Sequence, residues 1–128
     1  MRLLLDTHVL IWAVDQPDRL GSRARSALED AGNEALISAA TTWEIAIKTG
    51  LGELTLSVPY REWMDRVIAD LRSTILPITV EYADVQAQLP CHHRDPFDRM
   101  LIAQAMAEKI PLVANEETFD QYGVSRLW

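Results

Sequence analysis

The residues of this chain best suited to chemistry are acids: Asp6, Glu44, Asp95, Asp98 and Glu116. Asp6 ends a short apolar run, Glu44 lies early in a helical segment, Asp95 and Asp98 open another, and Glu116 follows a late apolar strand. Carboxylates that cluster repel one another unless some keep a proton or a cation sits between them. Hard oxygen donors suit Mg²⁺ or Mn²⁺, and such an ion activates water and stabilises charge developing on a phosphoryl oxygen. Zinc fits poorly, because Cys91, His92 and His93 are adjacent rather than spaced as in a finger, and there is no second cysteine. His92 and His93 read as part of a polar loop. Arg94 and Arg99 beside them are the candidate cations for a phosphodiester.

Glu44, Asp95 and Asp98 also have a purely structural reading. Thr41-Thr42-Trp43-Glu44 matches a capping box, in which Glu44 bonds back to the Thr41 backbone. Asp95 before Pro96 reads as a helix N-cap, and Asp98 sits where an acid favours the helix dipole. Asp6 resists this treatment. A carboxylate directly after a buried strand is costly to desolvate without a partner, and the neighbouring chain offers only Arg2.

The elements that would position these acids alternate between strand and helix. Arg2–Leu5, Glu34–Ser38, Thr74–Ile78, Pro111–Ala114 and Val124–Leu127 read as short strands. Helices are expected over Thr7–Val14, over Ser22–Ala31 with Ser22 as N-cap and Gly32 as stop, and over Thr41–Thr49. Three more follow at Pro59–Leu71, Val80–Leu89 and Asp95–Lys109, the last with Pro96 at its first position. The pattern predicts an α/β fold: one three-layer α/β/α domain over residues 1–128 with a central parallel sheet. In such a sheet the strand-to-helix junctions gather at the carboxyl edge, where open α/β folds bind ligands. Asp6, Glu44 and Glu116 therefore converge. The helix carrying Asp95 and Asp98 does not directly follow a strand, so topology argues less for those two.

Composition bounds the function. The 128 residues are 48% hydrophobic and 24% charged, an ordinary globular balance. The net charge of −7 argues against a protein that coats nucleic acid, but not against a nuclease whose acids hold a metal that reverses the local potential. One cysteine excludes an internal disulfide framework and suits a reducing cytoplasm. Asp6 interrupts the leucines at the N-terminus, so no signal peptide is expected, and no apolar run approaches the ~20 residues of a membrane span.

Four segments resemble the PIN-domain VapC toxins: Leu3-Leu4-Leu5-Asp6-Thr7-His8, Ser38 to Lys48 with its Thr41-Thr42-Trp43-Glu44 core, His93-Arg94-Asp95-Pro96-Phe97-Asp98-Arg99 running into Leu101-Ile102-Ala103, and Leu112-Val113 to Gly123. The resemblance implies a PIN-like fold and a Mg²⁺-dependent endoribonuclease, with Mn²⁺ as a substitute, acting as the toxin of a type II toxin–antitoxin pair. By position, Asp6, Glu44 and Asp98 would be catalytic and metal-binding, with Asp95 and Glu116 as further metal candidates. Thr7 would hold a metal-bound water, and Thr7, Arg94 and Arg99 would face the RNA. A VapB-like antitoxin and a homodimer would be the partners. Relatives usually carry Thr-x-Asp after the fourth strand; here it reads Ala114-Asn115-Glu116, which leaves the fourth acid and a second metal open.

Two other readings compete. A phospho-receiver also places acids at a carboxyl edge, but needs an acidic pair after the first strand, a central acceptor Asp and a late Lys; here Asp6 stands alone and the middle junction offers Glu44. A PIN-like domain with weakened catalysis, acting mainly by partner binding, is suggested by the altered fourth acid. The stripe Tyr60, Trp63, Met64, Val67 and Leu71 would serve such a surface, or else pack the helix onto the sheet.

Overall fold

The computed structural model describes all residues, 1–128. Five strands form one sheet: β1 (Arg2–Leu5), β2 (Glu34–Ser38), β3 (Thr74–Leu76), β4 (Leu112–Val113) and β5 (Arg126–Leu127). Their order is β3-β2-β1-β4-β5, and every pair is parallel. The helices are α1 (Thr7–Asp15), α2 (Ser22–Glu29), α3 (Ala39–Gly50), α4 (Tyr60–Asp70), α5 (Val80–Gln88) and α6 (Pro96–Glu108). Short 3-10 segments add Pro17–Arg19 and Glu117–Tyr122.

Alternation along each strand sorts the core into two halves. Leu3, Leu5, Ala35, Ile37 and Val113 face one side, where α1, α2 and α4 supply Val9, Leu10, Ala24, Trp63, Met64 and Val67. Leu4, Leu36, Leu76 and Leu112 face the other, against Tyr82 of α5 and Met100, Leu101, Ile102 and Ala105 of α6. The three layers expected from the sequence are present. The α4 stripe is core: Trp63 and Val67 are fully buried, and Tyr60 and Leu71 pack against the same cluster. That covers the surface that the sequence offered for a partner.

Strand ends retract relative to the sequence reading. β3 stops at Leu76 because Pro77 has no N–H to continue the ladder. Ser22 is the first helical residue of α2 rather than its cap, and Gly21 takes the cap position without a side-chain bond. Glycine suits that place sterically, since a Cβ there would meet Trp128 at 2.8 Å.

The α5–α6 pair explains how Asp95 and Asp98 reach the carboxyl edge. A helix that feeds a parallel strand must run opposite to it, so α6, which leads into β4, starts at that edge. α5 runs antiparallel beside it. Tyr82 near the start of α5 bonds Glu108 at the end of α6 at 2.9 Å, and Arg99 at the start of α6 bonds the carbonyls of Gln86 and Leu89. No helix is long and apolar enough to cross a membrane.

Candidate active site

Asp6 sits at the end of the central strand, where the chain leaves the sheet for α1. Its N–H donates to the Val113 carbonyl at 3.0 Å and its own carbonyl accepts from Leu10 N at 3.2 Å. The side chain is 4% exposed yet makes no cap bond to α1, so its burial is not explained by helix capping. Arg2, the cation nearest in sequence, pairs instead with Glu108 at 3.1 Å. The group that faces Asp6 is His8, with Nδ1 3.6 Å from Oδ2. This close approach of the Asp6 carboxylate is the main cause that pushes the His8 pKa up.

Glu44 is not the closing residue of a capping box. α3 begins earlier than expected, because the Ser38 side chain accepts from Ala40 N at 3.1 Å and starts the helix at Ala39. Glu44 thereby falls in the second turn, out of reach of that role. It is 3% exposed and accepts from Thr7 Oγ1 at 2.6 Å and Lys48 Nζ at 2.7 Å. The bond to Glu44 raises the Lys48 pKa. Glu-x-x-x-Lys spacing is the ordinary helical ion pair, and it was visible in the sequence without being read as part of the site. The hydroxyl of Thr41, the other half of the expected box, is buried and has no partner.

Asp95 does cap its helix, accepting from Phe97 N at 2.8 Å and Asp98 N at 3.2 Å. Asp98 points into the cluster, with its side chain 15% exposed. Burial first, then the charges of Asp6, Asp95, Glu44 and Glu116 in that order, push its carboxyl up to about 8. That ordering places all five acids within electrostatic reach of one atom pair, although they come from four separate segments. Lys48 and, when protonated, His8 are the cationic groups that face them.

His93, read from sequence as a loop residue, turns out to be in the cluster. Its Nε2 lies 3.0 Å from Asp98 Oδ2 and 3.0 Å from Glu116 Oε1. His92 is exposed and packs edge-on against Tyr122. Among the other expected site residues, Thr7 is buried and orients Glu44 rather than facing outward. Arg94 is exposed and has no side-chain partner, leaving it free beside the acids in the chain. Arg99 is turned to internal work: its guanidinium donates to the carbonyls of Gln86, Leu89, Pro90 and, at 3.5 Å, His93.

The arrangement fits a small divalent cation. Its donors are carboxylate oxygens, two of them on side chains almost fully buried, and one acid is driven to keep its proton for lack of positive charge. The Asp6 and Glu44 side chains are buried and that of Asp98 is half-buried, while the ligand atoms that lie within 4.8 Å of one another are those of His93, Asp98 and Glu116.

The PIN domain profile matches residues 3–124. A ribonuclease of Mycobacterium tuberculosis, VapC22, is 30% identical over 115 residues, covering 89% of this chain and 86% of that protein. Among solved structures, VapBC2 of Rickettsia felis, bound to a DNA fragment from its promoter, superposes with a TM-score of 0.73 at 17% identity and full coverage of both chains. VapBC-1 of nontypeable Haemophilus influenzae gives 0.66 at 15% identity, over 98% of this chain and 96% of that one. FitAcB of Neisseria gonorrhoeae gives 0.64 at 19% identity, over 97% and 95%.

Proposed function

The chain belongs to the PIN-domain family, and on that premise we propose that it is a Mg²⁺-dependent endoribonuclease acting as the toxin of a toxin–antitoxin pair. One arrangement carries the metal-dependent part of this reading: the buried carboxylates of Asp6 and Glu44 and the half-buried one of Asp98 come from separate segments to the carboxyl edge of the sheet. Asp98 is pushed to about 8 by burial and by four neighbouring carboxylates, a charge arrangement that a divalent cation relieves. The all-oxygen donor set favours Mg²⁺, with Mn²⁺ as substitute.

Asp6, Glu44 and Asp98 would hold the ion. When bound, it supplies an activated water and a counter-charge for the phosphoryl oxygen. The surrounding residues set the geometry. Thr7 and Lys48 hold the two oxygens of Glu44 from opposite sides, which orients the carboxylate before substrate arrives. Asp95 secures the first turn of α6 and so fixes where Asp98 starts. Arg94, exposed and unpaired, is the cation that would take a phosphodiester oxygen of the RNA. Arg99 holds the loop that carries Arg94 in place.

The named relatives support the biological setting. VapC22 is a ribonuclease, and the solved neighbours are VapBC and Fit assemblies. A VapB-like antitoxin is therefore the partner we assign, with a homodimer as the assembly. A cytoplasmic location suits an RNA substrate and the single, exposed Cys91.

The test is incubation of the purified chain with single-stranded RNA and Mg²⁺ or Mn²⁺, with EDTA as control. Cleavage is expected with either metal and lost in EDTA or in Asp6→Asn. Full cleavage in EDTA would overturn the metal-dependent reading.

A further inference from the structure

His93, Asp98 and Glu116 offer ligand atoms that all lie within 4.8 Å of one another, which on distance alone resembles a second metal site. The hydrogen bonds around the imidazole argue otherwise. The backbone N–H of Asp95 donates to His93 Nδ1 at 3.1 Å, so Nδ1 carries a lone pair and no hydrogen. A neutral imidazole has one N–H, and here it must be on Nε2. A metal at Nε2 would leave the ring with no hydrogen at all, unless the Asp95 bond broke. The Nε2–H is instead a donor, aimed between two acceptors at equal distance.

The ring, the backbone that carries it and the loop opposite are each held in place. Its face stacks on Phe119 at 6.0 Å and 15°. The backbone N–H groups of His92 and His93 both donate to Tyr122 Oη, at 3.0 and 2.8 Å. Arg126 fixes the loop that delivers Glu116, donating to the carbonyls of Ala114 and Asn115 at 3.2 Å while gripping Asp120. Without His93, the Glu116 carboxylate, 44% exposed, would have no protein partner and would sample solvent.

We propose that His93 is a positioning residue of the carboxylate site: its Nε2–H ties Glu116 to Asp98, so that Glu116 acts on the cluster through the imidazole and not by binding the metal. This answers the altered fourth position, Ala114-Asn115-Glu116, where a longer acid reaches the cluster by way of a histidine. The inference rests on the metal-site reading above for its effect on catalysis, but the His93–Glu116 link itself does not depend on any ion. It orients the Asp98 oxygen that faces away from the ring, as an outer hydrogen bond orients a ligand.

The experiment has two arms. In the first, nitrogen-15 NMR of the metal-free protein reads the His93 tautomer. The Nε2–H form is expected, with the Nε2 signal shifting in Glu116→Gln; an Nδ1–H form overturns the proposal. In the second, Mn²⁺ affinity and the kcat and KM for RNA are measured in variants. Glu116→Leu, which has no acceptor for the Nε2–H, and His93→Asn should each lower kcat about tenfold, while Mn²⁺ affinity stays within about threefold of the parent. The double variant should fall no further than either single one, because both cut the same link. His93→Asn keeps an acceptor for the Asp95 N–H, so the loop stays formed. His93→Gln restores a donor near the Nε2 position and should recover most of kcat. Loss of Mn²⁺ affinity in Glu116→Leu as large as in Asp98→Asn overturns the proposal, since Glu116 would then be a ligand. If Asp98→Asn leaves Mn²⁺ binding intact, the metal-site reading fails, and the tautomer arm still decides the His93–Glu116 link.

Discussion

The hydroxyl of Thr7 donates to the buried carboxylate of Glu44 across 2.6 Å, joining the first turn of α1 to the second turn of α3. Two helices that follow different strands are thereby locked at the point where their acids meet, with Lys48 closing the other side of Glu44 at 2.7 Å. Replacing Thr7 with Val keeps the shape and removes the donor. A hydrogen bond to a charged group contributes ~1.5–3 kcal/mol, so Thr7→Val should lose about that much stability in urea denaturation. Thr7→Ser should keep it. Equal midpoints for parent and Thr7→Val would show that this bond does not hold Glu44.

Asp98 sets the pH dependence of the metal-free protein. Its folded carboxyl titrates at about 8 against a usual 3.8. Between those values the folded chain binds one proton more than the unfolded chain, so stability falls as pH rises, by at most ~1.4 kcal/mol per unit. His8, with its pKa raised by Asp6, contributes stability that is likewise lost as pH rises. Thermal unfolding in EDTA should show Tm falling from mildly acid to mildly alkaline pH. The stabilisation given by Mg²⁺ should grow over the same range, because the ion displaces the retained proton. A flat Tm in EDTA would contradict this account of Asp98.

The same charges predict opposite effects for one substitution. Asp98→Asn removes a carboxylate that repels four others, so without metal at alkaline pH it should be more stable than the parent. It should also lose most of the Mg²⁺-dependent rise in Tm. Stabilisation by Mg²⁺ equal to that of the parent would remove Asp98 from the set of ligands.

Two neighbouring arginines should separate cleanly. Arg94 is exposed and unpaired, so Arg94→Ala should leave Tm unchanged, weaken RNA binding across sequences and reduce the salt slope by about 1. Arg99 donates to four carbonyls. Arg99→Ala should cost ~2 kcal/mol or more through those carbonyls. A stability loss in Arg94→Ala matching that in Arg99→Ala would mean the two roles are misassigned.

Trp63 tests the reading of α4 as core. It is fully buried, with its indole N–H on Asp15 at 3.3 Å. Trp63→Ala should lower stability by ~3–5 kcal/mol. A folded, undestabilised variant that merely bound its partner less well would return the stripe to the surface.

Much of this is legible in the sequence. Buried strands, capped helices and their alternation led to the parallel sheet, and Asp6 stood out because a carboxylate after Leu3-Leu4-Leu5 has no local partner. Asp95 as N-cap was readable from Asp-Pro alone. What was not legible depended on where elements begin and on loops. Ser38 starts α3 two residues before the apparent box, which changes the turn that Glu44 occupies. The position of α6 follows from a topological rule, that a helix feeding a parallel strand starts at the carboxyl edge, which brings Asp98 to the other acids. His93 depended on contacts with Asp95, Phe119 and Tyr122 that no local spacing reveals.

The central claim is that a metal held by Asp6, Glu44 and Asp98 cuts RNA, and one titration tests it most directly. Mn²⁺ is added to the metal-free protein while binding and RNA cleavage are followed in the same samples. The account predicts that cleavage rises from background with the same midpoint as binding, and that both collapse in Asp6→Asn. Cleavage at its full rate before any Mn²⁺ is bound, or undiminished in Asp6→Asn, would contradict it.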